Sequence, residues 1–195
     1  MPRATERLDA ALVRLCVVVV IGGAAPLLDT TIVAVALDAL GRGFGADLAT
    51  IQWAMSGYLL AMAMVTPATG WAVDRFGARR MWIGSVLAFG LASVLAGTAW
   101  SAASLIAFRI LQGAAGGVLL PVGATLLVQA AGPQRLGRVT AAVSIPAQVA
   151  PIVGPLLGAA VLRFSHWRVS FWVVAGLAAL MVVTVAVFCV SPGPV

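Results

Sequence analysis

Charge is what this sequence lacks most. Of its 195 residues only eighteen carry charge at pH 7, twelve basic and six acidic, and every one of the twelve bases is arginine. A soluble domain of this length has a surface to solvate, and 9% charged residues beside 62% hydrophobic ones cannot do it. Histidine and cysteine are nearly absent too. The two cysteines, Cys16 and Cys189, both fall in apolar runs and suggest neither a disulfide framework nor a metal site. The single histidine, His166, falls between apolar runs beside Trp167, where an interfacial role is expected rather than a pH switch. An intramembrane hydrolase needs a nucleophile with a base, or two aspartates, and only one aspartate lies inside an apolar run. The chain is therefore not expected to be an enzyme. The exclusive use of arginine, beside heavy alanine, valine and glycine, reads as a codon bias. It does not mark a nucleic-acid surface, because the arginines fall between apolar runs.

Those runs decide the class. The uncharged stretches after Asp47, Arg109, Arg138 and Arg168 each exceed the roughly 20 apolar residues that span a bilayer. The 28 residues between Arg80 and Arg109 are too many for one ordinary span, so a turn is expected near "TAWSAAS", Thr98 to Ser104. The expected segments are 12–40, 51–73, 81–99, 102–131, 139–162 and 169–190. They form one six-helix transmembrane bundle over residues 1–195, an all-α membrane protein with short loops. The first segment is too long for the core of a cleaved signal peptide and is read as retained. Arginines 3, 7, 14, 75, 79, 80, 135 and 138 fall on one side, and 42, 163 and 168 on the other. Eight against three places both termini in the cytoplasm. All six tryptophans (53, 71, 82, 100, 167 and 172) fall near expected helix ends, and are expected to form an interfacial belt.

Two charges remain in the hydrocarbon, Asp29 in the first segment and Arg109 in the fourth. With 1.5 Å of rise per residue, both lie on the order of 10–15 Å below the outer surface. An isolated charge near the bilayer centre costs roughly 2.5–3.5 kcal/mol. Two unrelated penalties are less economical than a buried pair, or a pair sharing an aqueous cavity. The fifth segment, "SIPAQVAPIVGPLLG", carries Pro146, Pro151 and Pro155, each of which removes an amide donor and favours a bend. Gly154 and Gly158 there, and Gly113 and Gly117 in the fourth segment, form small-xxx-small faces that permit close helix approach.

One short stretch, "GWAVDRFGARR", concentrates four charges in eleven positions. It resembles the loop signature between the second and third helices of the major facilitator superfamily, through Gly70, Asp74, Arg75, Gly77, Arg79 and Arg80. Ala72 and Ala78 depart from that pattern. "LIAFRILQGAAGG" is similar to the family's fourth-helix motif, with Arg109, Gln112 and Gly113 in register. "VGPLLG" resembles its antiporter motif through Gly154, Pro155 and Gly158, with Ala150 and Ala159 at usual glycine positions. "LLDTTIVAVAL" resembles the first-helix signature of the fourteen-helix drug:proton antiporter branch, fitting at Asp29, Thr31 and Val33 and departing at Ala34 and Asp38. "QWAMSGYLL" and "HWRVSFW" are also similar to that branch.

The resemblance implies the N-terminal six-helix half of a major facilitator fold in a plasma membrane. It implies a secondary transporter exporting small amphipathic compounds or antibiotics, driven by the proton gradient and needing no cofactor or metal. Asp29 would couple the proton with the help of Arg109. The loop charges would pin the second helix to the third and latch one conformation, and the fifth-helix motif would favour antiport. The chain ends at "SPGPV" after the sixth segment. A half-transporter or a truncated product is expected, its partner a second six-helix half from the same or another chain. A nutrient symporter of the same fold, or a non-transporting membrane subunit, remains the alternative.

Overall fold

The computed structural model describes residues 10–132, 135–164, 166–176 and 178–179. Seven α-helices and one 3-10 turn follow one another: α1 (Ala10–Phe44), α2 (Leu48–Val65), the turn Thr66–Ala68, α3 (Thr69–Phe76), α4 (Ala78–Gly97), α5 (Ala102–Ala131), α6 (Leu136–Phe164) and α7 (168–176). Helices are the natural outcome for such a chain. In hydrocarbon each backbone N–H and C=O must find its partner within the segment. Four stretches among the described residues are long and apolar enough to cross a membrane: Leu12–Phe44, Leu48–Phe76, Ala78–Gly97 and Ala102–Ala131. With 35 residues α1 is about 52 Å long, well beyond the roughly 30 Å of hydrocarbon, so it projects from the membrane or tilts within it.

The helix ends have local causes. After α1, Gly45 takes φ +60°. The Ala46 amide donates to the Gly41 carbonyl at 3.0 Å and the Gly45 amide to Arg42 at 3.4 Å, a paired C-terminal cap that needs this left-handed residue. α5 opens on a reciprocal cap: the Ser104 amide donates to Ser101 Oγ at 3.1 Å, and the Ser101 amide to Ser104 Oγ at 3.0 Å. This cap makes the turn expected near Thr98–Ser104.

α5 is the hub, packed against α2, α4 and α1, while α6 lies chiefly along α1. α7 leans on α4, where Ser93 Oγ donates to the Phe171 carbonyl at 3.0 Å. The buried side chains form two apolar clusters. One gathers around Leu12, Val19, Trp82, Val86, Phe89 and Leu127, the other around Val33, Leu40, Ile51, Leu105, Trp167 and Phe171. Asp29, Arg109 and Gln112 are buried where the two meet along α1 and α5.

Two expectations change. The second segment is not one helix: Pro67 lies in the turn Thr66–Ala68, which divides it into α2 and α3. A proline lacks the amide the α-helical ladder needs there, so the chain tightens into a 3-10 turn. The tryptophan belt is incomplete. Trp53, Trp71, Trp100 and Trp172 are exposed, but Trp82 and Trp167 are only 2% and 5% exposed. Trp82 packs where Gly123 makes room, and Trp167 lies between the rings of Phe44 at 5.0 Å and Phe171 at 6.2 Å. Position along the chain sets a residue's depth, whereas packing sets which way it points. α6 runs without a break through Pro146, Pro151 and Pro155. Of the expected sixth segment, only the part up to residue 179 is among the described residues, and Cys189 lies outside them.

Candidate functional site

At the meeting of the two clusters, three helices bring buried polar groups together. Arg109 and Gln112 stand three residues apart on α5 and so share a face. Asp29 faces them from α1. Arg109 Nη1 donates to Asp29 Oδ2, and also to Gln112 Oε1 at 2.8 Å. Gln112 Nε2 donates in turn to Asp29 Oδ1 at 3.1 Å, so both carboxylate oxygens are engaged. From α2 the Ala54 carbonyl accepts from Arg109 Nε at 3.2 Å. Asp29, Arg109 and Gln112 are all 0% exposed. Taking an ion pair out of water costs several kcal/mol per ion, which is offset only when geometry is good and the remaining polar atoms are satisfied. Here most are. The exception is Arg109 Nη2, which has no hydrogen-bond partner among the described residues. The guanidinium carbon lies 4.1 Å from the centroid of the Tyr58 ring and 5.9 Å from that of Phe171.

The helices come this close because α5 has glycine where α2 crosses it. A Cβ on Gly113 would lie 2.2 Å from the Tyr58 carbonyl oxygen, and one on Gly117 2.5 Å from that of Met62. The motif glycines of α6 do the same against α1. A Cβ on Gly154 would lie 1.7 Å from Thr31 Oγ1, and one on Gly158 3.3 Å from Ile32 Cα. Pro151 and Pro155 are exposed, so this stretch of α6 turns Gly154 and Gly158 inward and these two prolines outward.

The charged loop turns on a glycine. Gly77 adopts φ +83°, the left-handed region glycine enters freely, and its amide donates to Val73 at 2.8 Å. This lets α3 turn directly into α4. Asp74, Arg75, Arg79 and Arg80 are all exposed. Arg75 lies 5.9 Å from the Phe76 ring, and among the described residues Asp74 makes no ion pair. Gly77 and the buried side chain of Ala78 lie at the turn itself. Gly70 is exposed, with open space around it.

Two contributors escape sequence reasoning, the Ala54 carbonyl and Tyr58. A backbone acceptor leaves no trace in sequence. Tyr58 could have been suspected, being the chain's only tyrosine and placed inside an apolar run. Cavities of about 300 and 220 Å³ lie elsewhere, at the Phe44 end of α1 beside the exposed Asp38–Arg42 pair at 2.6 Å. Among the described residues no three His, Cys, Asp or Glu side chains gather as a metal site.

Four long apolar helices around an occluded ion pair fit an integral membrane protein. Residues 19–195 match the model of the Major Facilitator Superfamily, and the chain belongs to that family. It is 44% identical over 182 residues to "Multidrug resistance protein B homolog" of Mycobacterium tuberculosis, covering 92% of this chain and 34% of that one. It is 35% identical over 147 residues to "Multidrug export protein EmrB" of Haemophilus influenzae, covering 75% of this chain and 29% of that one. The chain thus spans about a third of the length of the curated relatives it matches. Among solved structures it resembles the proton:xylose symporter XylE, with TM-score 0.77 at 16% identity over 93% of this chain and 45% of that one. It also resembles the peptide transporter POT, with TM-score 0.77 at 16% identity over 90% of this chain and 37% of that one. At such identity these likenesses concern the fold, which is that of one six-helix half of a major facilitator protein.

Proposed function

We propose that this chain supplies the proton-coupling six-helix half of a secondary transporter that exports small amphipathic compounds across the plasma membrane. The observation carrying the proposal is the fully buried network of Asp29, Arg109 and Gln112. A carboxylate held in the hydrocarbon by one guanidinium can exist there in two forms, paired and ionised or protonated and neutral. Intramembrane ionisable groups of this kind usually mark pathways. The relatives named as multidrug resistance and export proteins, and the Gly154, Pro155 and Gly158 motif, support export as the direction. In this reading the proton gradient drives transport. Both termini and the loop at residues 75–80 face the cytoplasm, and a second six-helix half, from the same or another chain, completes the substrate path. Asp74, exposed and without an ion-pair partner among the described residues, is suited to reach that second half.

The test is uphill export of a panel of fluorescent amphipathic cations, such as ethidium and acridine dyes, from vesicles under an imposed pH gradient. At matched expression, Asp29→Asn abolishes gradient-driven export and Arg109→Ala is at least as damaging, since it leaves the acid without its partner. If Asp29→Asn pumps at the parent rate, or if no panel compound is exported by the parent, this reading fails.

A further inference from the structure

Proton coupling poses a problem for Arg109, not only for Asp29. A guanidinium stays charged at any relevant pH. When Asp29 is protonated, Arg109 loses its one anionic partner while remaining 0% exposed. The groups facing it among the described residues are few. α1 offers Asp29, α5 offers Gln112, α2 offers the Ala54 carbonyl and Tyr58, and α7 offers the Phe171 ring. Two neutral oxygens serve five N–H donors, and Nη2 has no acceptor even with Asp29 ionised. What remains is the Tyr58 ring, 4.1 Å from the guanidinium carbon, whose negative π face attracts a cation without depending on the charge of Asp29.

Tyr58 is also held firmly. Its hydroxyl donates to the Pro26 carbonyl of α1 at 3.4 Å, its own carbonyl oxygen sits where a Gly113 Cβ would be, and its side chain is 0% exposed. A Cβ on Gly116 would lie 3.1 Å from that hydroxyl, so the tyrosine tip sits against α5 in the space this glycine leaves. We infer that Tyr58 is a positioning residue whose ring face holds Arg109 in place during the step in which Asp29 is neutral. This rests on the proton-coupled reading above and adds to it a division of labour: Asp29 carries the proton, and Tyr58 keeps the cation seated meanwhile.

The assay separates the two legs of an exchange cycle. Uphill export driven by a pH gradient uses the proton-loaded leg, whereas dye-for-dye exchange without a gradient uses only the substrate-loaded leg. In the full transporting protein, with ethidium or whichever panel dye the parent exports, Tyr58→Leu should slow uphill export about tenfold or more, the factor expected of a desolvated cation–π contact. Dye-for-dye exchange should stay within about twofold of the parent, because that leg leaves Asp29 ionised. Tyr58→Phe keeps the ring and should match the parent in both. Parent-like pumping by Tyr58→Leu overturns the inference. So does an equal loss of exchange, which would make Tyr58 merely structural, and so does a Tyr58→Phe defect as large as that of Tyr58→Leu. Asp29→Asn run in parallel keeps the two proposals apart: parent-rate pumping by that variant removes proton coupling itself, whatever Tyr58 does.

Discussion

Replacing Gly113 with alanine adds one methyl group at the most crowded point of the α2–α5 crossing. The new Cβ would stand 2.2 Å from the Tyr58 carbonyl oxygen, 2.8 Å from its carbonyl carbon and 2.9 Å from its Cα. Cβ atoms essentially never come within 3.0 Å of another heavy atom, and all three neighbours are backbone. No rotamer change can relieve the clash. α2 must move bodily away from α5, by the difference between 2.2 and at least 3.0 Å along the oxygen contact. Overpacking of this kind costs typically 1–3 kcal/mol. The same movement carries the Tyr58 ring and the Ala54 carbonyl away from Arg109, so the substitution also loosens the buried network. A control lies on α4: a Cβ on Gly84 meets nothing within 4 Å. There alanine adds no clash and gains in helix propensity. For a chain of this size, roughly 2–4 °C of melting temperature accompany each kcal/mol. In detergent, monitored by intrinsic fluorescence, Gly113→Ala should therefore melt several degrees below the parent and Gly84→Ala at or above it. Equal melting of Gly113→Ala and the parent would refute the reasoning, because the helices would then have room that the geometry denies them.

The remaining predictions follow from other contacts. Gly154→Ala should lower the melting temperature by overpacking against Thr31, and Thr31→Ala should recover part of the loss by removing the hydroxyl only 1.7 Å from the new methyl position. Additive losses in the double variant would contradict that contact. Asp74→Asn should leave stability within about 0.5 kcal/mol of the parent, because an exposed side chain is changed, yet impair transport. Unaltered transport would reduce this aspartate to a topology signal. On intact cells, an impermeant thiol reagent should label Leu48→Cys and spare Arg79→Cys, both exposed positions, with Cys16 buried and Cys189 replaced. The reverse pattern would invert the proposed orientation.

Much of this was legible in the sequence because the bilayer simplifies the problem. Long uncharged runs must be helices in lipid, where backbone groups can be satisfied only within the segment, so most elements follow from where charges stop and resume. Asp29 and Arg109 were expected to meet on two one-dimensional facts, their depth and the cost of leaving either alone. The four motifs needed no geometry to suggest the family. What lies around each residue was another matter, because depth follows from counting along the chain while azimuth and approach depend on every neighbouring helix at once. Trp82 and Trp167 have the depth of belt residues but turn inward, into spaces opened by Gly123 and Gly43. Asp74 stands exposed beside a turn that the left-handed Gly77 makes. Gln112 bridges the ion pair, and Tyr58 covers it, only because α2 can lie directly on the glycines of α5. A sequence lists which side chains could offset a buried charge; only tertiary packing selects those that do, since such contacts act over a few ångströms between residues far apart in the chain.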